Sequence, residues 1–287
     1  MTLDLFLDIL QDSIKDSLLV FVFVFIFHFI LSFIETAVAN FLVRKKRTAP
    51  LFGAMFGLIP QCGTSVVAAD LYTRKYITIG TLVAVFLACS DEALLMLLTA
   101  WNEKTLAILP LVGLKLLVGA SVGLLVDSFI RKQSIKQADH VEEEPVCVEH
   151  HHEKTSVHEH FVHPLFHALK ILIYVFVINL GLGVLIGFVG QENFNAFMLS
   201  NKYLAPLFTS IIGLIPNCAS SVFITELYLA NSLSFGALFA GLLVNTGLGA
   251  MVLIKEYKNV KQIFYIIGFC FVLAVALGYV TCLVVGF

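Results

Sequence analysis

Long apolar runs separated by short polar ones fill most of the chain, and their lengths set the first constraint. A helix needs about 20 apolar residues to cross a bilayer's hydrocarbon. By that measure the pattern predicts a span at 17–42, an interrupted apolar segment at 50–72, a run at 77–100 and a span at 105–130. The same order then returns, with a span at 165–189, an interrupted segment at 204–228, a run at 233–254 and a span at 262–286. Ahead of the first span, Asp4, Asp8, Asp12 and Asp16 recur every fourth residue beside Leu5, Phe6, Ile9, Leu10 and Ile14. That periodicity predicts an amphipathic helix lying at the membrane surface as an anchor. These acidic residues occupy the place of a basic n-region, so the segment does not read as a cleaved secretory signal.

The two blocks are copies. Sliding the chain by 156 positions places Leu51 to Leu98 on Leu207 to Ile254 without a gap, and 16 of the 48 pairs are identical. Chance matching in apolar sequence would favour Leu and Val. Here the matches include Gly57/Gly213, Pro60/Pro216, Cys62/Cys218, Ser65/Ser221, Tyr72/Tyr228 and Gly80/Gly236, with Asp70/Glu226 a conservative pair.

Composition narrows the class. Hydrophobic residues make up 59% and charged residues 13% of 287, with a mean hydropathy of +0.93, which excludes a cytosolic enzyme or a nucleic-acid binder. The six cysteines contain no C-x-x-C pair and predict neither a disulfide framework nor a zinc ribbon. The net charge of −2 matters less than where the 18 basic residues fall, because cytoplasmic loops carry the Lys and Arg excess. Thirteen of them, from Arg44 to Lys261, can be cytoplasmic together only if 50–72 enters and leaves on one side and the second block is inverted. The expected fold is therefore an all-α polytopic membrane protein built from two inverted-topology repeats. Each carries a re-entrant broken-helix hairpin, giving about ten membrane segments when hairpin arms are counted. The expected units are 1–130 with the N-terminal amphipathic helix, a cytoplasmic loop at 131–163 and a second, inverted repeat at 164–287, with both termini outside.

Two arms of about 10 residues each reach the midplane and return, which places Pro60 and Pro216 at opposed hairpin tips and brings Cys62 close to Cys218. Irregular backbone at that depth is tolerated only where protein or a water-filled cavity satisfies it, so the tips are candidate substrate sites. From them come Gln61, Cys62, Ser65, Asn217, Cys218 and Ser221, and from the centres of the third elements Cys89, Ser90, Asp91, Glu92, Asn245 and Thr246. Intramembrane charge marks ion paths, and Lys115, about 10 residues into its span, is the expected partner of Asp91 or Glu92. Asp70 and Glu226 are further coupling candidates, although Asp70 can instead pair with Arg74 one turn on. His28 and Glu35 are weaker relay candidates, while Gly53/Gly57, Gly119/Gly123 and Gly183/Gly187 read as packing pairs.

The loop differs in kind. His150, His151, His152, His158, His160 and His163 stand among six glutamates and Cys147, a density of imidazole and carboxylate suited to borderline divalent metals. A merely solvated linker would look similar.

The paired G-L-I-P-[QN]-C-x-x-S segments, the S-D-E-A run at Ser90 to Ala93 and the His-rich centre resemble the ten-span heavy-metal exporters, a family also associated with arsenic efflux and manganese transport. The resemblance covers nearly the whole chain and implies transport more firmly than any one metal. The expectation is a secondary transporter of the plasma membrane, not an enzyme, exporting a manganese- or zinc-like divalent cation by alternating access. With no G-x-x-x-x-G-K-[ST] loop, its energy would come from an ion gradient. An arsenite or oxyanion exporter is the alternative, favoured by helix N-termini and thiols at the tips; a membrane metal sensor or scaffold is a third. No tightly bound cofactor is expected. The partners are the metal substrate, which the loop can also ligate, and the bilayer, with nucleic acid excluded and a homo-oligomer left open.

Overall fold

A computed structural model describes residues 48–60, 63–90, 92–100, 103–130, 201–216, 218–256 and 260–286, together with scattered helical positions between 7 and 26 and between 165 and 184. The described residues contain helices and no strand. In the first half these are α1 (Ala49–Gly57), α2 (Gly63–Thr73), α3 (Ile79–Ala88), α4 (Ala93–Thr99), a 3-10 turn (Glu103–Ala107) and α5 (Ile108–Phe129). The second half follows with α6 (Ala205–Gly213), α7 (Cys218–Leu229), α8 (Phe235–Val244), α9 (Gly249–Glu256) and α10 (Val260–Val285). Among the described residues, four stretches are long and apolar enough to cross a membrane: Ile79–Thr99, Lys104–Phe129, Phe235–Lys255 and Lys261–Val285. The expected runs at 77–100 and 233–254 are present, and each is two half-helices rather than one continuous helix. The N-terminal amphipathic helix and the spans at 17–42 and 165–189 fall largely outside the described residues, as does the whole loop at 131–163.

Equivalent positions in the two halves use the same local devices. Thr78 and Ser234 are N-caps in extended conformation, and their hydroxyls accept from the Thr81 and Ala237 amides. Pro50 and Pro206 both stand in the first turn of their helices, where a missing N–H costs nothing. Lys75 and Asn231, 156 residues apart, both have positive φ just past α2 and α7, closing each helix with a bond from the following amide back to Leu71 or Leu227.

The core is the pair of broken runs. Every residue of α3 is buried, and α8 is buried from Gly236 to Val244. Around them, α1 and α5 pack on α3, while α6 and α10 pack on α8. Contacts cross between halves at α2 with α9, α4 with α7, α3 with α8 and α3 with α10. Leu95, Met96 and Val222 form a smaller cluster with Ala168, against which Phe21, Phe25 and Ile178 rest. The outer helices are apolar on their open faces as well, with Phe129 86%, Leu109 75%, Tyr265 78% and Val284 80% exposed. Such faces suit lipid rather than water.

Without a hydrophobic drive between helices in lipid, close backbone approach holds them together, and small residues make it possible. A Cβ on Gly213 would come within 2.2 Å of the Gly241 carbonyl oxygen, and one on Gly80 within 2.3 Å of that of Gly123. Gly57 and Gly123 are equally confined, at 2.6 Å from Val85 and Gly80 carbonyls, as expected of packing glycines; Gly183 and Gly187 lie outside the described residues. Gly80→Val and Gly213→Val should each cost roughly 1–3 kcal/mol or more and lower the thermal midpoint of the detergent-purified protein. Gly113→Ala and Gly268→Ala, where nothing lies within 4 Å, should leave that midpoint within about a degree or two of wild type.

Candidate functional site

The helix interruptions meet. Pro60 lies in the linker between α1 and α2, and Pro216 in the linker between α6 and α7. The two other interruptions fall between α3 and α4 and between α8 and α9, so each half is broken twice. Each break leaves amides and carbonyls without helical partners, and buried backbone groups must find others.

They find them largely across elements. The Ser90 amide donates to the Gly57 carbonyl at 3.2 Å, tying the second break of the first half to the end of α1. The Gly249 amide, first of α9, donates to Ser65 Oγ on α2 at 3.2 Å, which joins the halves. Only glycine fits there, since a Cβ on residue 249 would lie 2.5 Å from the Ser65 carbonyl oxygen. In the second half, Asn245 Nδ2 donates to Ser220 Oγ at 3.3 Å while its Oδ1 accepts from the Gly247 amide at 2.9 Å. Gly247 has φ of 55°, a conformation that closes this Asn-capped turn and disfavours side chains. Ser90 Oγ donates to the Ala88 carbonyl at 2.9 Å.

Lys115 stands at the centre of this arrangement. It is 1% exposed on α5, and its Nζ donates to the Cys89 carbonyl, an acceptor released when α3 ends. The ammonium therefore supports the broken backbone itself, a role that the expected carboxylate pairing did not contain. Glu92 is fully buried just past the same break. A small cavity, with room for about one water molecule or bare ion, is lined by Cys89, Ser90, Ala93, Leu94, Leu111, Lys115, Ser221, Leu242 and Asn245. It draws on both halves.

Of the residues expected from sequence, Cys89, Ser90, Lys115, Ser221 and Asn245 share that cavity. Ser65 is buried on α2 and bonded to Gly249 of the other half, Thr246 is buried next to Asn245, and Glu92 is buried in the turn before α4. Gln61, Cys62, Asp91, Asn217, His28 and Glu35 lie outside the described residues, as do His150, His151, His152, His158, His160 and His163. Cys218 begins α7, one turn before Ser221. Asp70 pairs with Arg74 at 2.9 Å, away from the cavity, and Glu226 is half-buried on α7 two residues before Tyr228. No group of three His, Cys, Asp or Glu side chains suited to a metal ion forms among the described residues.

One structural carboxylate escaped the sequence reading. Asp127, near the end of α5, accepts from the Thr78 hydroxyl at 2.6 Å and the Gly80 amide at 2.9 Å, so it caps the N-terminus of α3 from a neighbouring helix. Its counterpart contact in the second half is Cys282, whose Sγ lies 3.4 Å from Ser234 Oγ. The T-I-G signature at Thr78 to Gly80 offers the donors, but only their distance from an acid 47 residues on reveals the use.

A family described as "Putative, 10TM heavy-metal exporter" matches residues 1–191 and 165–285, which together cover nearly the whole chain. The chain belongs to that family. No curated protein and no solved structure matches it. A member of this heavy-metal exporter family is a multi-pass membrane transporter rather than a known class of enzyme, and the apolar helices described above agree with that placement. Ser65→Ala removes the acceptor of the Gly249 amide and should cost about 1–3 kcal/mol, since the buried N–H is left unsatisfied. The detergent thermal midpoint of Ser65→Ala should fall below that of Ser121→Ala, whose hydroxyl only back-bonds along an exposed stretch of α5.

Proposed function

We propose that this exporter is a secondary transporter working by alternating access between two halves of opposite orientation, with the cargo held at the shared breaks. The observation that carries the reading is the cavity bounded by residues of both halves around the buried Lys115. A buried ionisable group among broken helices is the signature of a transport path, and an inert scaffold or sensor has no use for one.

Several contacts support opposed halves. Pro50, at the start of α1, lies against Gly123, which also meets Gly80 at the start of α3. Gly57, at the end of α1, meets Val85 and Ala88, deeper along α3. The end of α2 lies beside the start of α10, through Tyr72 and Gln262. The end of α7 lies beside the turn before α5, through Tyr228 and Lys104. With those ends paired, α3–α4 and α8–α9 run in opposite directions, and 50–72 starts and finishes at one end as a re-entrant hairpin would. The distribution of basic residues supports a cytoplasmic 131–163 loop, and the plasma membrane is the membrane proposed.

For the cargo, Asp91, Glu92 and Lys115 sum to a formal −1, which favours a manganese- or zinc-like divalent cation. Gln61, Cys62, Asn217 and Cys218 at the tips and Ser65, Ser221, Asn245 and Thr246 would complete its coordination in other states of the cycle. The loop histidines would gather metal before export, and Asp70 and Glu226 would serve coupling. An arsenite or oxyanion cargo is the second reading, and one observation favours it: the cavity lining presents Cys89 and the Lys115 side chain.

Uptake into inverted vesicles, measured over a panel of divalent metals and oxyanions, distinguishes the two. For a cation, Asp91→Asn and Glu92→Gln should each lower uptake at least about tenfold, while Lys115→Met retains binding and loses release. Robust oxyanion uptake in both carboxylate variants, with none in Lys115→Met, would reverse the assignment to an anion.

A further inference from the structure

Two contacts bridge the halves far from the cavity. Lys104, in the 3-10 turn before α5, donates its Nζ to the Tyr228 carbonyl and, at 3.2 Å, to the Leu229 carbonyl, and lies 4.7 Å from the Tyr228 ring centroid. Those carbonyls end α7, where the Tyr228 carbonyl also accepts from the Asn231 amide at 3.1 Å, and a cation from the other half caps this helix end. At the other end Gln262, in the first turn of α10, donates from Nε2 to the Tyr72 hydroxyl at 2.8 Å. Tyr72 and Tyr228 are equivalent residues of the two halves, and each is held from the base of the opposite half's outer helix. The Ile79–Thr99 run, 21 residues or about 30 Å if straight, separates the two contacts.

We propose that Lys104 and Gln262 are the paired gate residues of the transporter, each latching one mouth of the central cavity, and that this structure has both latched. The proposal rests on the alternating-access reading. If two halves rock about a shared centre, contacts at the far ends move most and must break in turn. Hydrogen bonds at the rim can do so, whereas the buried ties at Ser65–Gly249 and Ser90–Gly57 stay near the pivot. The latches differ in strength. Lys104 brings a full charge to two carbonyls and a ring, while the Gln262–Tyr72 bond joins neutral groups. The Gln262 mouth therefore opens first. In the orientation given by the basic residues it faces the cytoplasm, as an exporter waiting for cargo requires.

The test is alkylation of Cys89 by a membrane-impermeant maleimide, read by peptide mass spectrometry on the full-length protein in right-side-out and inside-out vesicles. Lys104→Met should raise labelling about tenfold from one face alone, equivalent to about 1.4 kcal/mol of lost latch, and Lys104→Arg should restore the wild-type level. Gln262→Leu should raise labelling from the opposite face alone. Tyr72→Phe deletes the hydroxyl that accepts from Gln262 and should reproduce that result. Tyr228→Phe keeps both the carbonyl and the ring, and should open neither face. Equal labelling from both faces in Lys104→Met, or wild-type labelling in Tyr72→Phe, overturns the proposal; should Lys104→Met fail to fold, the two tyrosine variants decide. Side-selective labelling without flux of any metal or oxyanion sinks the transport reading alone. Flux with side-independent labelling sinks the latches alone.

Discussion

Backbone that leaves the helix inside an apolar slab must have its amides and carbonyls satisfied by protein, and the rest of this structure depends on that constraint. The ties described above show how it is met. Ser90 uses the Gly57 carbonyl, Gly249 uses the Ser65 hydroxyl, Gly247 uses its neighbour Asn245, and the Cys89 carbonyl takes the Lys115 ammonium. One of these bonds crosses between halves, and another depends on a cation from an outer helix. Of these four ties, the one at Gly247 alone stays within its own turn. The interruptions thus exist as a set, and the set encloses polar groups at the depth where an ion must shed water. Packing glycines serve the same end, because short interhelical bonds need close backbones.

Much of the frame was legible in sequence. The 156-residue offset locates α6 to α9 from α1 to α4, and Pro60 and Pro216 mark true helix interruptions. The apolar runs give the long helices to within a residue or two, since length and hydropathy are local properties. What escaped were pairings between distant residues of ordinary type. Asp127, four residues from Arg131, looks in sequence like one member of a polar helix end, yet it caps α3. Lys104 reads as an interfacial lysine, and nothing in its neighbours points to the Tyr228 carbonyl 124 residues away. Lys115 was visible as a buried cation, but its bond to a carbonyl required knowing where α3 ends. A break in a uniformly apolar run leaves no hydropathy signal; only the polar quartets Cys89 to Glu92 and Asn245 to Leu248 hint at one, and they do not say which atoms they serve.

The two halves share a backbone plan but not a charge pattern. At the 156-residue offset Asp91 and Glu92 face Gly247 and Leu248; in the outer helices the correspondence shifts by one, Gly123 to Gly278, so that Lys115 faces Cys270 and the Asp127 cap has its counterpart in Cys282. The ionisable groups near the centre belong to the first half, while the second supplies hydroxyls, an amide side chain and glycine. A strict repeat would double the buried charge, and each ion taken from water costs several kcal/mol unless it is paired. Concentrating charge in one half keeps that cost single and lets the neutral half close over it with hydrogen bonds such as Asn245 to Ser220. The same asymmetry reaches the rims, where a lysine holds one end and a glutamine the other. If the halves rock as proposed, unequal bonds at the two ends favour one opening over the other. Side-chain chemistry would then set a direction of preference on a backbone plan that the two halves share.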